Sequence, residues 1–253
     1  MSGIGAVVYR DWRQRITNVG FMFWDLFVPI AYLALFGIGF DRAVASSFVV
    51  DGQRLEYTAY LLPGVIAMTA FSVAMNTAWG FFMDKDSGIF YELLTYPITR
   101  RQLLIGKVCF NVLLSAVGAL LAVALGVFAM HIQIRWEFLP LTALVIMATT
   151  AGWFFLLSIF AIRLQRMDSF NTVTSAAYIF LMFLSSLFYP LAGLPQWFQW
   201  TARINPMTWQ VDMLRFSLLG AGVPAIVLAE AAAFIAFTLV CLALAIRALD
   251  RAA

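Results

Sequence analysis

Two carboxylates inside apolar runs, Asp25 and Glu230, are the residues of this chain best suited to moving a proton away from water. A carboxylate in such a setting is costly unless paired or hydrated, so each marks a functional-site hypothesis, here a proton relay. The structural alternatives are a water or Arg15 for Asp25 and Arg215 for Glu230. Other chemistry finds little to work with. His131 is the only histidine, which excludes a multi-histidine metal site and leaves a Ser–His protease without an obvious serine partner. No G-x-x-x-x-G-K-[ST] loop is present to cradle ATP phosphates, and neither H-E-x-x-H nor C-x-x-C occurs. Cys109 and Cys241 both fall within apolar runs and read as small buried hydrophobes, not as a disulfide or metal pair.

Two polar stripes are more informative. Asn171, Thr174, Ser175, Tyr178, Met182, Ser185 and Tyr189 fall near one line at helical spacing, and Thr69, Ser72, Asn76 and Gly80 do the same. Lipid does not reward such faces. They suit helix–helix contact, where small and hydroxyl residues let backbones approach, or the lining of a conduit.

The elements that carry these residues are six apolar runs, at roughly 21–40, 61–83, 105–130, 139–162, 170–189 and 223–246, nearly free of charge. A run of about 20 apolar residues matches the hydrocarbon core of a bilayer. Composition agrees, with 63% hydrophobic and 11% charged residues against roughly 45–50% and 25% in soluble domains. The fold expected is an all-α polytopic membrane protein of six transmembrane helices, one domain over residues 1–253. With the N-terminus inside, the inner gaps hold Arg10, Arg13, Arg15, Lys85, Arg100, Arg101, Lys107, Arg163, Arg166, Arg247 and Arg251. The outer gaps hold Arg42, Arg54, Arg135, Arg203 and Arg215. That bias puts both termini in the cytoplasm. A cleaved signal peptide ending at Ala43-Val44-Ala45 is disfavoured by the length of the first run and by Asp41-Arg42 before the site. The net charge of +3 gives no reason to expect a nucleic-acid partner.

Three segments outside the runs have structure of their own. In residues 4–18, Ile4, Val8, Trp12 and Ile16 share a helical face while Arg10, Arg13 and Gln14 point away, the pattern of an amphipathic helix in the membrane interface. Between the second and third runs, Ser87 to Thr95 reads as a short helix with Phe90, Leu93 and Leu94 on one side; Pro97 breaks it, and Thr99 with Gln102 forms a capping box. Pro63-Gly64 opens the second span, and Asp168 or Ser169 caps the fifth. Over 190–222, Tyr189-Pro190 ends the fifth span, Pro195 starts a helix bearing Trp197, Phe198 and Trp200, and Asn205-Pro206 caps a second helix that Gly220 closes. Both pieces are too short to cross and too aromatic for a solvated loop, so they read as a hairpin dipping back into the outer leaflet, with Asp212 and Arg215 paired on its wetter face.

These residues resemble the ABC-2-type permease family, the membrane subunits of bacterial drug, polysaccharide and Nod-factor exporters. The resemblance rests on Asp84-x-x-x-Gly88-x(3)-Glu92-Leu93-Leu94-x-x-Pro97-x-Thr99-Arg100-x(5)-Gly106-Lys107, on Pro195-x-Trp197 followed by Asn205-Pro206-x-Thr208-x(3)-Asp212-x-x-Arg215, and on Leu62-Pro63-Gly64. It covers the whole chain; Lys85-Asp86-Ser87 departs from the Arg-Glu of many members.

The resemblance implies roles. Residues 4–18 and 84–99 would rest on a separate cytoplasmic ABC ATPase, with Arg10, Arg13, Asp84, Gly88, Glu92, Leu93, Pro97, Arg100 and Arg101 as the coupling residues. Two permeases, expected as a homodimer, and two ATPase copies would form the unit, with ATP and Mg held by the ATPase and no cofactor in this chain. The stripes Thr69, Ser72, Asn76 and Asn171, Thr174, Ser175, Tyr178, Met182, Ser185, Tyr189 would line the substrate path; Trp197, Trp200, Asn205, Pro206, Asp212 and Arg215 would form an outer gate. The expected activity is export of an amphipathic or lipid-linked substrate (drug, lipid or oligosaccharide) across a bacterial cytoplasmic membrane. The rival expectation is a proton-coupled secondary transporter using Asp25 or Glu230.

Overall fold

The computed structural model describes residues 3–17, 19–43, 48–50 and 53–251, with some side chains of the second helix outside the description. In chain order these form α1 (Gly3–Thr17), α2 (Val19–Ala43), a hairpin of β1 (Phe48–Val50) and β2 (Gln53–Leu55), α3 (Tyr57–Asp86), α4 (Ile89–Leu93) and α5 (Arg100–Phe128). A 3-10 turn at Trp136–Phe138 leads into α6 (Leu139–Arg163), followed by α7 (Met167–Phe183), α8 (Gln196–Ile204), α9 (Pro206–Leu219) and α10 (Pro224–Arg251). The antiparallel hairpin pairs Phe48 with Leu55 and Val50 with Gln53, in a gap from which the sequence pattern promised no regular structure.

Among the described residues, four helical segments, α3, α5, the 3-10 turn with α6, and α10, are long and apolar enough to cross a membrane. At about 1.5 Å per residue they reach roughly 42–45 Å, beyond the roughly 30 Å hydrocarbon core. The chain is therefore a polytopic helical membrane protein. Bare aliphatic side chains on their outer sides, such as Leu120 of α5, Leu144 of α6 and Leu228 of α10, agree with a lipid-facing exterior.

α3 is the axis of the bundle, buried almost throughout and packed against α2, α5, α6 and α9. α10 instead packs on one side, against α6 and α9. Two glycines set the closest helix approaches. A Cβ on Gly152 of α6 would lie 2.5 Å from Thr238 Oγ1 of α10, and one on Gly106 of α5 would lie 2.7 Å from Val7 Cβ of α1.

The predicted caps are present. Thr99 and Gln102 form both bonds of the capping box at the start of α5. Asn205 accepts from Met207 N at the start of α9, and Gly220 closes that helix in the left-handed conformation at φ 71°. Other expectations need correction. α3 begins at Tyr57, so Pro63 lies inside the helix rather than opening it. Lacking an N–H, it leaves the carbonyl of Ala59 without its intrahelical donor. The loop helix spans only Ile89–Leu93, because Gly88 turns left-handed at φ 80° and separates it from α3. The N-cap of α7 is Arg166, without a side-chain bond; Asp168 lies in the first turn, where a carboxylate favours the positive helix end. α7 stops at Phe183, short of Tyr189-Pro190. There Ser185 Oγ bonds Met182 O and accepts from Leu187 N, a local alternative to continuing the helix. Cys241 is buried as expected, but Cys109 is exposed on the outer side of α5.

Candidate functional site

One end of the bundle is built around a buried ion cluster. Lys107 Nζ of α5 lies 3.2 Å from Asp11 Oδ2 of α1 and 2.9 Å from Asp84 Oδ2 of α3. Arg10 donates to the other oxygen of Asp84. Asp11, Asp84 and Lys107 are all buried, and the Lys107 ammonium also stands 5.6 Å from the Phe81 ring centre. Two cations balance two carboxylates, which is what allows four charges to sit together away from water. The close approach at Gly106 brings α1 near enough for Asp11 to take part. A cavity of about 60 Å³ adjoins the cluster, bordered by Asp11, Arg15, Asn76, Thr77, Trp79 and Lys107. At about 10–15 Å³ of such volume per water, it has room for several.

This cluster changes the reading of α1. Val7 and Asp11 form the face against the protein, while Trp12 and Ile16 stay exposed, as an interfacial helix requires. Arg10 does not point away with Arg13 and Gln14; it turns toward Asp84, which belongs to the end of α3 and not to a loop. The Asp25 side chain lies outside the described residues.

The segment after α3 presents a mixed surface. Gly88, Glu92, Pro97 and Arg101 are exposed, with Ile89, Tyr91 and Tyr96 bare beside them. Arg13 of α1 is exposed too, whereas Leu93 is half-buried. Phe90 turns inward and is buried against Phe81. Lys85 donates to three carbonyls at the end of α6, those of Ala161, Ile162 and Leu164. Arg100 donates to Leu249 O of α10.

At the other end, the broken tip of α7 is closed by the α8–α9 turn. Asn205 Nδ2 donates to Leu181 O at 2.8 Å and Leu184 O at 2.7 Å, taking up carbonyls that the end of α7 leaves free. Asp212 and Arg215 pair at 2.5 Å as the spacing predicts. They do so on a buried face, not a wet one: Arg215 is 4% exposed, its guanidinium lies 4.1 Å from the Tyr60 ring centre, and it donates to Ser186 O. Tyr60 and Ser186 complete the group through Tyr60 Oη to Ser186 O and Ser186 Oγ to Asp212. Arg215 is thus held by Asp212, and Glu230 sits half-buried on α10. Trp197 and Trp200 of α8 are exposed.

The two stripes divide. Thr69, Thr174, Met182 and Ser185 are buried inside the protomer, and Thr69 and Thr174 bond carbonyls of their own helices. Ser72 is half-buried, and the Tyr178 ring stacks on Phe71 at 5.2 Å. Asn76 and Gly80 border the cavity by α1. Asn171 and Ser175 are exposed on α7, and Tyr189 folds back to bond Phe183 O.

The sequence profile described as "ABC-2 type transporter" matches residues 2–219. The chain belongs to that family. Relatives include the inner membrane transport permease YadH of Escherichia coli K12, 27% identical over 196 residues that cover 76% of this chain and 74% of YadH. Nodulation protein J of Rhizobium leguminosarum bv. viciae is 26% identical over 215 residues, 84% of this chain and 79% of that protein. The ycf38 protein of Porphyra purpurea is 24% identical over 214 residues, 84% and 72% of the two chains. The family supplies membrane permease subunits, which are not themselves catalytic, and membership implies an ABC ATPase partner.

Within this permease the sequence pattern does not show what three buried or half-buried groups bind. Lys107 stands in the sequence as the last residue of the motif that ends Gly106-Lys107, Asp11 as an acid in a basic helix and Lys85 as a loop cation, with no sign of the partners each one meets. Each finds its partner far along the chain, so no local spacing points to it.

Proposed function

We propose that this chain is the permease subunit of an ABC exporter that moves an amphipathic or lipid-linked substrate (a drug, lipid or oligosaccharide) out of the cytoplasm or inner leaflet. Two copies of the permease form a homodimer, and two copies of a cytoplasmic ATPase supply ATP and Mg. The six spans are α2, α3, α5, α6, α7 and α10, with both termini in the cytoplasm of a bacterial cell. α1 and residues 84–99 meet the ATPase, the polar residues of α3 and α7 line the path, and the α8–α9 hairpin re-enters the outer leaflet as a gate.

The observation that carries this reading is the ion cluster of Asp11, Asp84, Lys107 and Arg10. It fastens α1 to the base of α3 and α5, beside an exposed loop that offers Tyr91, Tyr96, Glu92 and Arg101 to a partner. A helix held by buried charge to the two helices that flank the loop shifts with that loop when a protein docks.

A tagged permease purified from membranes in mild detergent tests the proposal. Recovery of a Walker-motif ATPase at equal stoichiometry supports it. A dimer or monomer that brings down no ATPase, from membranes containing the candidate partner, overturns it.

A further inference from the structure

The cytoplasmic loop is fastened to more than the helices it connects. Helix ends leave their last carbonyls without intrahelical donors, and those carbonyls carry partial negative charge. Lys85 answers this at the end of α6, where its ammonium lies 2.6 Å from Ile162 O, 2.8 Å from Leu164 O and 3.2 Å from Ala161 O. Arg100, on the far side of the loop, does the same for α10, with Nη1 3.1 Å from Leu249 O. Between them Phe90 of α4 packs into the junction. Phe81, Lys85, Phe90, Ala161, Ile162 and Leu249 leave only about 10 Å³ of space among them.

The helices held in this way are themselves joined. The contact at Gly152 leaves no room for a side chain between α6 and α10, and Trp153 packs edge-on against Phe234 and Phe237. α9 is bonded to the same unit. Gln210 accepts from Trp153 Nε1 at 2.6 Å and donates to Thr149 Oγ1 at 3.0 Å, and Thr142 bonds Ser217.

We infer that Lys85 and Arg100 are positioning residues that lock the loop to the α6–α10 pair, so that a movement of the loop is carried through that pair to α9 at the opposite end of the bundle. This rests on the reading of residues 84–99 as the ATPase-coupling element. A two-cation clamp explains why the loop needs no long helix of its own: α6 and α10 provide the rigid lever, and closely packed elements shift as bodies rather than deforming.

The test uses the full permease–ATPase complex in nanodiscs, in a Cys109→Ala, Cys241→Ala background with Val223→Cys as reporter. Val223 is exposed between α9 and α10. The labelling rate with a fluorescent maleimide is measured without nucleotide and with ATP plus vanadate. The expected result is a nucleotide-dependent change in the parent that falls by about fivefold in Lys85→Met and in Arg100→Met, and is retained in Lys85→Arg. ATPase recovery and size-exclusion profile are recorded for each variant; if Lys85→Met does not fold, Lys85→Gln and Arg100→Met carry the test. An undiminished change in both clamp variants with the ATPase bound overturns the inference. So does a parent complex that hydrolyses ATP without any change at Val223→Cys. Failure of the parent to hold an ATPase instead overturns the functional reading beneath it.

Discussion

Lys107 of α5 and Asp84 of α3 lie 2.9 Å apart, and their side chains are only 3% and 5% exposed. The pair would be expensive alone, since each ion gives up its hydration. Asp11 and Arg10 balance the charge and bring α1 into the same contact. Replacing Lys107 by Met leaves two buried carboxylates with only the half-exposed Arg10 between them. The expected loss is about 3–5 kcal/mol, the usual consequence of removing one partner of a buried pair. Thermal unfolding in detergent measures it, and Lys107→Met with Asp84→Asn should recover part of the loss. Equal stability of Lys107→Met and the parent would contradict a structural role for the cluster.

Gly106 makes the cluster possible. A methyl group there would stand 2.7 Å from Val7 Cβ and 3.3 Å from Ile4 O, so α1 must move away. Gly106→Ala is expected to cost about 1–3 kcal/mol, the range for overpacking a close contact. It should also expose α1 to limited proteolysis at Arg13 and Arg15. Unchanged cleavage of α1 would mean that the helix is held by the membrane alone.

Asn205 serves two helices at once. Its oxygen caps α9, and its amide donates to the two carbonyls that end α7. Asn205→Ala should lose about 0.5–2 kcal/mol for the cap, with a further penalty of about 1–3 kcal/mol if the carbonyls stay dry. Asn205→Asp separates the two roles. It keeps the cap but turns a carboxylate toward carbonyl oxygens, so its stability should fall at least as far as that of the alanine variant. A fully stable Asp variant would show that the amide donation is dispensable.

The features legible in the sequence are those whose partners are close in the chain. Thr99 with Gln102, Asn205 with Met207, and Asp212 with Arg215 all act within one helical turn, and each is where the spacing puts it. The apolar runs are visible for the same reason, since each is contiguous. The burial of Asp11 and Lys107 and the carbonyl contacts of Lys85 follow from partners dozens of residues away, which one sequence does not encode locally. The end of α7 departs from the sequence pattern for another reason. Tyr189-Pro190 is a strong stop signal, but the helix yields earlier, because Ser185 bonds its own backbone and Asn205 replaces the lost helical donors.

Arg215 offers the sharpest test of the end opposite the ion cluster. Its Nη1 meets Asp212, its Nη2 meets Ser186 O, and its plane lies over Tyr60. A lysine carries the same charge on a single compact ammonium and cannot make both bonds while stacking on the ring. Arg215→Lys should therefore be destabilised almost as much as Arg215→Met, despite keeping the positive charge beside Asp212. Tyr60→Phe keeps the ring but loses the bond to Ser186 O, and should cost only about 0.5–1.5 kcal/mol. Thermal unfolding of the three variants in one detergent gives the order. If Arg215→Lys matches the parent, charge balance with Asp212 is what holds α9 in place, and the fork geometry of the guanidinium is not required.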